Sequence, residues 1–551
     1  MIIQDFDVFL QCETFKSMKY PIGIQDFEKI VSEGYAYVDK TAYVYDLVSR
    51  GHIYFLSRPR RFGKSLLLST IKHYFLGHKH LFRGLAIEKL ETQWNAYPVF
   101  HLSFGASDFT TPGTLDSILE GFVAAAERQY GSDELNTDIA RRFMAVLRAA
   151  HRVTGRRAVV LVDEYDKPLL DVMGSDITIT DRYGNVRTIE DYTRNALRGF
   201  YGAFKDADED LQFVMLTGIS KCSQVSVFSG LNQPNDISLS TRYQAICGIT
   251  TDELRTTFGA AIEELAESMS ISTDEVYARL QRQYDGYHFS ERLLDIYNPF
   301  SIINCLEAGA IRNFWFTSGT PTYLVRMLEH SNLNINELAD QYYAADQFAN
   351  YKADAAAPLP MIYQSGYLTI KEYNPELDVY RLDFPNQEVR SGFIGLLATD
   401  YFQNPLQQPA NWAVQVQQAL LAGNVDAFIS KMTALMASAT YRFQRKHSPF
   451  ECERYFQYTF YLILQMVGYY NTVAEKEVSE GRIDCVIETP QYVYVIEFKL
   501  NGSADQALQQ IADKHYAAAY ADSGRKVLCI GINFSSERGT IADYRTATYP
   551  L

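Results

Sequence analysis

Residues 53–68 read IYFLSRPRRFGKSLLL, an apolar run joined to an amphipathic run by a short basic loop. The apolar run predicts a strand, and Gly63, Lys64 and Ser65 then open a helix, as the second half of the pattern GxxxxGKS/T requires. At such a helix start, backbone N–H groups face a phosphate, the lysine reaches its oxygens, and the serine hydroxyl binds Mg²⁺. Gly63 lets the backbone approach closely because it has no side chain. The stretch therefore predicts a strand–loop–helix site for ATP with Mg²⁺.

The loop departs from that pattern at its start, because Arg58 stands where the first glycine belongs. A second element supports the same chemistry, since residues 157–166 read RAVVLVDEYD and place Asp163 and Glu164 at the end of an apolar strand. An aspartate there can hold Mg²⁺, and the glutamate can orient or deprotonate the attacking water. Two adjacent carboxylates are costly at a strand end unless a cation or hydrogen bonds neutralise them. A solvated strand end is the alternative interpretation.

The order of apolar and amphipathic stretches indicates the fold class. Runs such as IYFLS, VFHLSF, AVVLV and LQFVML alternate with amphipathic stretches, which is typical of a parallel α/β sheet with crossover helices. The continuously apolar AVVLV is expected in the interior of the sheet. Beyond Leu231 the pattern becomes mostly helical, as in a lid. Between about residues 359 and 400 it indicates a hairpin and a helix, for which a winged-helix module is one possibility.

The last part of the chain returns to an α/β pattern. Strands RIDCVIE, YVYVIEFKL and KVLCIGINF follow an apolar helix, and a helix over residues 504–521 is predicted between the second and third strands. Asp484 lies on the first strand, whereas Glu497 and Lys499 lie two residues apart, and hence on one face, of the second. Two carboxylates can bind Mg²⁺, and a lysine beside the metal favours hydroxide formation from water. This set suits phosphodiester hydrolysis; a solvated Glu497–Lys499 pair and a turn aspartate are the alternative.

Composition limits the remaining classes. A chain of 551 residues exceeds one ordinary core, and its formal net charge of −15 leaves only a local patch for nucleic acid. The seven cysteines are scattered without a CxxC pair, which argues against a zinc ribbon or a disulfide framework and favours a cytoplasmic location. No apolar run approaches the roughly 18 residues that span a bilayer, and the first residues lack the basic region of a signal peptide. We therefore expect no membrane partner.

The motifs of the first part together resemble one family. The segments YPIGIQDFEKI, VDKT, RPRRFGKSL, VLVDEYDKPL, TGISK and SGLNQPNDISL, over about residues 18–240, resemble the bacterial AAA-ATPase-like family, which has the same arginine-rich P-loop. The resemblance implies that Thr217 senses the γ-phosphate, although a strand-end hydroxyl is the alternative. It implies nucleotide contacts at Arg61, Phe62, Gly63, Lys64, Ser65, Leu66, Asp163 and Thr217. An arginine finger stays unassigned among Arg58, Arg60, Arg61, Arg198 and Arg242.

The spacing D-x₁₂-E-x-K across the C-terminal hairpin resembles the PD-(D/E)XK nuclease superfamily, with Arg482-Ile483 in place of the proline before Asp484. The match covers about residues 440–540. The resemblance implies metal binding by Asp484, Glu497 and Glu453, with Glu451 as an alternative to Glu453. It also places Gln510 and Tyr516 of the following helix in the nuclease core.

These observations predict a P-loop ATPase core, a helical lid region and a small restriction-endonuclease-like domain, all of α/β or helical type. The expected division is an extension over 1–17, an ATPase core over 18–240, a middle region over 241–440 and a nuclease-like domain over 441–551. The expected function is ATP-controlled, Mg²⁺-dependent cleavage of DNA or RNA by a possible homo-oligomer. The alternatives are a nucleotide-switched module that binds nucleic acid or protein without cutting it, and an ATP-dependent machine acting on protein partners.

Overall fold

The structure, a computed structural model, describes residues 18–131, 136–180, 184–221, 234–318, 339–349, 358–401, 409–438, 456–457, 459–461, 463–464, 471–478 and 481–550. The chain forms two compact units. Of the described residues, the first unit takes those up to Ser318 together with 344–349 and 360–380. The second unit takes 339–343, 358–359 and 381–550. The expected extension over 1–17 lies outside the described residues.

A five-stranded parallel sheet forms the centre of the first unit. The strands of this unit before residue 318 are β1 (Ile53–Ser57), β2 (Val99–Ser103), β3 (Ala158–Asp163), β4 (Thr178–Thr180), β5 (Val186–Thr188), β6 (Leu211–Gly218), β7 (Asn235–Asp236), β8 (Ile249–Thr250) and β9 (Ile296–Tyr297). The central sheet has the order β2-β3-β6-β1-β7, whereas β4–β5 and β8–β9 are separate two-stranded ribbons. Every residue of β3 is buried, as expected for a strand paired on both edges and covered on both faces. The predicted parallel α/β fold class is confirmed.

Helices cover this sheet and form a second cluster beside it. They are α1 (Phe27–Ser32), α2 (Thr41–Arg50), α3 (Lys64–Phe75), α4 (Thr114–Tyr130), α5 (Ile139–Thr154), α6 (Lys167–Val172), α7 (Ile189–Asp206), α8 (Thr251–Met269), α9 (Thr273–Tyr284) and α10 (Pro299–Ala308). Short 3₁₀ turns occur at Lys79–Phe82, Ala86–Lys89, Asp208–Asp210, Thr241–Tyr243 and Trp315–Ser318. Helix α8 begins with a capping box of Thr250 and Glu253, and Asn298 caps α10 ahead of Pro299. No described helix is long and apolar enough to cross a membrane.

The chain then passes several times between the units. The elements here are strands β10 (Gln341–Ala344), β11 (Thr369–Asn374) and β12 (Val379–Asp383), with helices α11 (Ala345–Phe348), α12 (Leu359–Gln364) and α13 (Gln387–Tyr401). The predicted hairpin and following helix are present as β11, β12 and α13. A winged-helix assignment stays a hypothesis.

The second unit is built around its own five-stranded sheet. Its remaining elements are helices α14 (Pro409–Leu421), α15 (Val425–Ser438) and α16 (Ala504–Asp513), and strands β13 (Asn471–Val478), β14 (Gly481–Glu488), β15 (Tyr492–Leu500), β16 (Lys526–Ser535) and β17 (Thr540–Thr548), in the sheet order β13-β14-β15-β16-β17. Strands β15 and β16 are parallel, and the other pairs are antiparallel. This mixed sheet with a crossover helix is the predicted small α/β fold.

Helices α14 and α15 belong to this second unit. The Tyr494 hydroxyl donates a hydrogen bond to the Leu420 carbonyl at 2.5 Å, and the Thr540 hydroxyl donates to the Thr433 carbonyl at 2.8 Å. The sequence alone places these helices in the predicted middle region over 241–440. Its boundaries at residues 240 and 440 stay predictions.

The helix predicted over residues 504–521 is shorter in the structure. It ends at Asp513, His515 adopts a left-handed backbone with φ of 49°, and a 3₁₀ turn follows at Tyr516–Tyr520. Tyr516, Ala517 and Tyr520 are buried in the core of the second unit. The break therefore lets a second set of side chains reach the sheet, a tertiary requirement that helical periodicity does not contain.

Candidate functional site

The loop between β1 and α3 has the backbone geometry of a phosphate-binding turn. Gly63 precedes α3 with φ of 90°, and Arg61 is also left-handed with φ of 68°. Because L-residues other than glycine rarely adopt positive φ, the conformation at Arg61 is strained, and its surroundings must hold it. Helix α3 begins at Lys64, so the N–H groups of its first turn have no partners within the helix. This helix start faces a cavity that Ser65 and Leu66 also line.

The ammonium group of Lys64 is turned onto its own loop. Lys64 Nζ donates hydrogen bonds to the carbonyls of Arg58 and Pro59, each at 2.9 Å. Burial lowers the pKa of Lys64, while Asp163, Glu164 and Asp166 oppose that shift. The two carbonyls are weak acceptors for a buried cation compared with phosphate oxygens. The charged group of Lys64 is therefore held by its own loop beside the cavity, and its binding of phosphate stays a prediction.

Arg58, the residue in place of the first glycine, points away from this cavity. Its side chain is 1% exposed, and its guanidinium lies 4.1 Å from the Phe289 ring. The guanidinium donates to the carbonyls of Ser57, Ser238 and Tyr243 at 2.9, 2.7 and 3.2 Å. Burial lowers the pKa of Arg58 to about 10. Arg58 therefore anchors the loop on the side away from the cavity. It would have to leave these contacts to act as an arginine finger on the nucleotide.

The carboxylates predicted from β3 lie at the carboxyl end of the central sheet. Asp163 Oδ1 accepts hydrogen bonds from the Thr217 hydroxyl at 2.8 Å and from the backbone N–H of Glu164 at 3.1 Å. Glu164 has φ of 53°, and burial, followed by the charge of Asp163, raises the pKa of its carboxyl. Strain and a raised pKa at a carboxyl that lines a cavity are features of a proton-accepting group. The fully buried Thr217 contacts Asp163, and its predicted role as a γ-phosphate sensor stays a prediction.

Sequence reasoning missed the role of Asp166, the last residue of DEYD. Its buried carboxylate accepts from the backbone N–H groups of Ile219 and Ser220 at 3.1 and 2.7 Å, and from the Ser220 hydroxyl at 2.8 Å. Burial raises the pKa of Asp166, and the hydrogen bonds from Ser220 oppose the shift. This contact joins the end of β3 to the TGIS segment, residues 217–220, in which β6 ends. The sequence contains a signal for this contact: DEYD and TGIS each end a strand of the predicted parallel sheet, so they are expected at the same edge of it.

The cavity in front of α3 has a volume of about 430 Å³, within the range of small-ligand sites. Its polar side holds Lys64, Glu164, Asp166 and Lys167. Its opposite wall comprises Pro21, Ile22, Gly23, Ile24, Gln25, Pro299, Phe300, Ile303 and Asn304. These wall residues were not predicted as contacts, because the Asn298–Pro299 helix start indicates where α10 begins but not which surface it faces.

The other predicted contacts of the loop divide between the cavity and the core. Arg60 and Arg61 line the cavity, and the Arg61 guanidinium lies 4.9 Å from the Phe300 ring. Phe62 instead packs edge-on against the rings of Tyr287 and Phe289, at centroid distances of 4.8 and 5.4 Å. Its side chain is 1% exposed. Phe62 therefore holds the loop through the core, and only its backbone is available to a nucleotide.

The second constellation lies where β14 and β15 pair. Cys485 is opposite Ile496 in the antiparallel register, so the next positions, Asp484 and Glu497, are neighbours across the strands. Asp484 Oδ2 accepts a hydrogen bond from the backbone N–H of Phe498 at 2.9 Å. Burial, and then the charge of Asp484, raise the pKa of Glu497. The two carboxylates therefore share one site.

Gln510 of α16 links the other members of this site. Its amide nitrogen donates to Glu497 Oε1 in a short hydrogen bond, and its amide oxygen accepts from Lys499 Nζ at 2.7 Å. Lys499 Nζ lies 3.5 Å from the same Glu497 oxygen. The other oxygen, Glu497 Oε2, is buried and has no hydrogen-bond partner among the described residues. Glu453 and Glu451 lie outside the described residues.

The residues present fit divalent metal ions at both places. A buried carboxylate oxygen without a partner is costly, and a cation beside it removes that cost. Among the described residues, no three His, Cys, Asp or Glu side chains converge on one point. Mg²⁺ keeps several waters and is held by one or two carboxylates together with substrate phosphates. Asp484 with Glu497 is a donor set of that kind, and near the start of α3 the Ser65 hydroxyl and the Asp163 carboxylate are oxygen donors of the same type.

Comparison with known proteins assigns the two parts of the chain that carry these sites to two different families. A family model described as Predicted AAA-ATPase matches residues 21–228, and one described as PD-(D/E)XK nuclease superfamily matches residues 451–544. The chain is also similar to an "Uncharacterized protein in vnfD 5′ region" of Azotobacter chroococcum mcd 1. The two are 34% identical over 532 residues, which cover 96% of this chain and 98% of the relative. The chain belongs to the AAA-ATPase-like family and carries a PD-(D/E)XK nuclease superfamily domain at its C-terminal end.

Proposed function

We propose that this protein binds and hydrolyses ATP with Mg²⁺ and that its nucleotide state controls a metal-dependent nuclease domain acting on DNA or RNA. The observation that carries the nuclease assignment concerns Glu497 Oε2, which is buried beside Asp484 and Lys499 and has no hydrogen-bond partner in the described part of the chain. A fold retained only for binding has no need of an uncompensated carboxylate oxygen, which costs roughly 1–3 kcal/mol. The acidic net charge implies that the nucleic acid binds through a local patch.

At the ATP site, each proposed role follows from position. Lys64 and the first turn of α3 bind the β- and γ-phosphates, and Ser65 and Asp163 hold the magnesium ion. Thr217 orients Asp163 through their 2.8 Å hydrogen bond. Glu164, whose pKa is raised by burial, accepts the proton of the attacking water. Arg60 or Arg61 is suited to stabilise transition-state charge, because both line the cavity.

At the second site, Asp484 and Glu497 would hold a divalent metal ion. The ion supplies charge neutralisation and favours ionisation of water at neutral pH. Lys499, fixed by Gln510 at 2.7 Å, faces the same place and stabilises the negative charge of the hydroxide or the phosphate. The cysteine pattern supports a cytoplasmic location, and oligomerisation of the ATPase is part of the proposal.

The deciding experiment incubates the full-length protein with single- and double-stranded DNA and RNA, with Mg²⁺ or Mn²⁺, and with or without ATP. We expect metal-dependent cleavage whose rate changes with ATP. Asp484→Ala should abolish cleavage, and Lys64→Ala should abolish its response to ATP. Cleavage that survives Asp484→Ala would reject the assigned site.

A second candidate function is a nucleotide-switched binding module with a silent nuclease fold. It is favoured by the internal pairing of Glu497 Oε1 and Lys499 with Gln510, which satisfies part of the site without any ligand. The same assay separates the two functions. ATP-dependent binding of nucleic acid, with no cleavage under either metal, would favour the silent module.

A further inference from the structure

The ends of β3 and β6 are joined by a dense set of contacts beside the ATP site. Besides the pairs of Asp163 and Asp166, the backbone N–H of Tyr165 donates to the Thr217 carbonyl at 3.0 Å. The Tyr165 hydroxyl donates to the Ser220 carbonyl at 2.9 Å. A Cβ at Gly218 would lie 2.6 Å from Asp166 Oδ1 and from the Tyr165 ring, so even an alanine there would force a shift. The two strand ends must therefore move together.

This joined segment continues directly into a second anchored residue, Lys221. The backbone N–H of Lys221 donates to Gln364 Oε1 at 2.7 Å, and its ammonium lies 2.6 Å from Asp236 Oδ2. Lys221 is thus held at both its backbone and its side chain, immediately after Ser220. One peptide unit thus separates the hydrogen bonds that Ser220 makes with Asp166 from the hydrogen bond that Lys221 makes with Gln364.

Gln364, at the end of α12, forms hydrogen bonds through both the oxygen and the nitrogen of its side-chain amide. Its oxygen accepts from Lys221, and its nitrogen donates to the carbonyls of Phe348 and Ala349, each at 3.1 Å. The side chain is 4% exposed, so water cannot easily replace these bonds. Glutamate has the same length as glutamine, but an ionised glutamate only accepts hydrogen bonds and cannot donate them. The position therefore requires an amide.

The helix that carries Gln364 is continuous with the second unit, because α12 begins at Leu359 of that unit. Ala349 belongs to the first unit and residues 358–359 to the second, and the first unit resumes at Pro360. Helix α12, which ends at Gln364, begins at that crossing. We infer that Gln364 is a positioning residue that transmits the nucleotide state from the DEYD–TGIS contact to the chain crossing between the units. The inference rests on the proposed ATP site. It adds the route by which the nucleotide bound there affects the chain crossing.

The test uses amide hydrogen exchange of the full-length protein with Mg²⁺ and the imido analogue of ATP, alongside calorimetric binding of the same analogue. In the wild type, we expect exchange at Ala349 and Ser365, which close the turns of α11 and α12, to change by about threefold or more on binding. In Gln364→Glu, binding should persist while this response is lost. Val276→Ala, at a buried position in the α8–α9 cluster, controls for general destabilisation and should keep the response.

The outcomes are distinguishable. Binding to the wild type without any change at Ala349 and Ser365, or an intact response in Gln364→Glu, would overturn this inference alone. Absence of binding to the wild type would overturn the proposed function and this inference with it. If Gln364→Glu does not fold, the wild-type response decides the matter, because the route requires that response.

Discussion

The Thr217 hydroxyl donates a 2.8 Å hydrogen bond to Asp163 Oδ1, so the end of β6 orients the carboxylate at the end of β3. Both groups are buried, and the bond leaves the second oxygen of Asp163 as the one available to a metal ion. Substituting a residue that orients a metal ligand changes the affinity for Mg²⁺. Substituting a residue that contacts the γ-phosphate changes the preference for ATP over ADP.

We therefore expect Thr217→Val to lower the apparent affinity for Mg²⁺ by about tenfold or more, the usual effect of losing a group that orients a metal ligand. The valine fills the space of the threonine but cannot donate to Asp163. ATPase rates measured against Mg²⁺ concentration would show the shift, and Thr217→Ser, which keeps the hydroxyl, is the matched control. An unchanged Mg²⁺ dependence with lost discrimination between ATP and ADP would instead support the γ-phosphate sensor.

Lys64→Ala and Glu164→Gln should separate binding from turnover. Loss of the ammonium removes charge-assisted hydrogen bonds to phosphate of roughly 1.5–3 kcal/mol, so ATP binding should weaken by at least about tenfold. Glu164→Gln keeps the shape of the side chain but cannot accept a proton, so hydrolysis should fall by about 100-fold or more with binding retained. Calorimetry and phosphate release measure the two effects. A Glu164→Gln protein with wild-type turnover would remove Glu164 from its proposed role.

Arg58→Gly, which restores the ordinary glycine of the loop pattern, should destabilise the protein rather than improve the site. The substitution removes three hydrogen bonds to carbonyls and the packing on Phe289, and it leaves a cavity. Losses of this kind lower the free energy of unfolding by about 3 kcal/mol or more. Urea unfolding would measure the change, with Arg60→Gly, at a residue lining the cavity, as the comparison. Equal stability of the two variants would contradict the anchoring role.

Glu497→Ala should remove a bound Mn²⁺ ion and any cleavage of nucleic acid while leaving ATP turnover largely intact. The substitution deletes Glu497 Oε2, the buried oxygen that we propose binds the ion, and Glu497 lies in a different unit from the P-loop. Electron paramagnetic resonance of Mn²⁺ titrations would report binding directly. Glu488→Ala, on the same strand as Asp484 and paired with Arg525 at 2.8 Å, should bind Mn²⁺ like the wild type. Equal loss of Mn²⁺ in both variants would point to a general structural effect.

The stability of the first unit should depend on pH through Asp285. Burial, then the charge of Asp295, raises the pKa of Asp285 to about 7, while Gly286 N–H, Tyr297 and His288 oppose the shift. Its pKa in the unfolded chain is about 4, so the folded state binds the proton more tightly between these values. Stability from this group is therefore fully present below pH of about 4 and falls as pH rises through 7.

Asp285→Asn removes this titration and should stabilise the protein at pH 8 relative to the wild type. Since each pKa unit corresponds to about 1.4 kcal/mol, the difference in unfolding free energy between variant and wild type should grow by about 2.6 kcal/mol from pH 5 to pH 8. Urea unfolding at the two pH values measures it. A difference that stays constant with pH would show that Asp285 does not titrate in this range.

Local sequence was sufficient for the elements that carry the chemistry. The run AVVLVD specifies a buried strand ending in a carboxylate, because a strand covered on both faces has only apolar side chains until it reaches the edge. Gly63 and Lys64 mark a helix start, because that geometry requires a residue free to adopt positive φ. In the same way, Glu497 and Lys499 share a face because side chains alternate along a strand. The α/β class of both units follows from these short-range rules.

Only the tertiary structure decided which residues of these elements contact one another. Arg58 is a loop anchor because Phe289 and the carbonyls of distant residues surround it, and a basic loop sequence alone does not exclude its facing the phosphate. Phe300 lines the cavity in front of α3 through the packing of α10, and Gln364 contacts Lys221 across 143 positions of the chain. Sequence periodicity reports which face of an element is apolar. It cannot report which partner covers that face, because that choice depends on the packing of the whole unit.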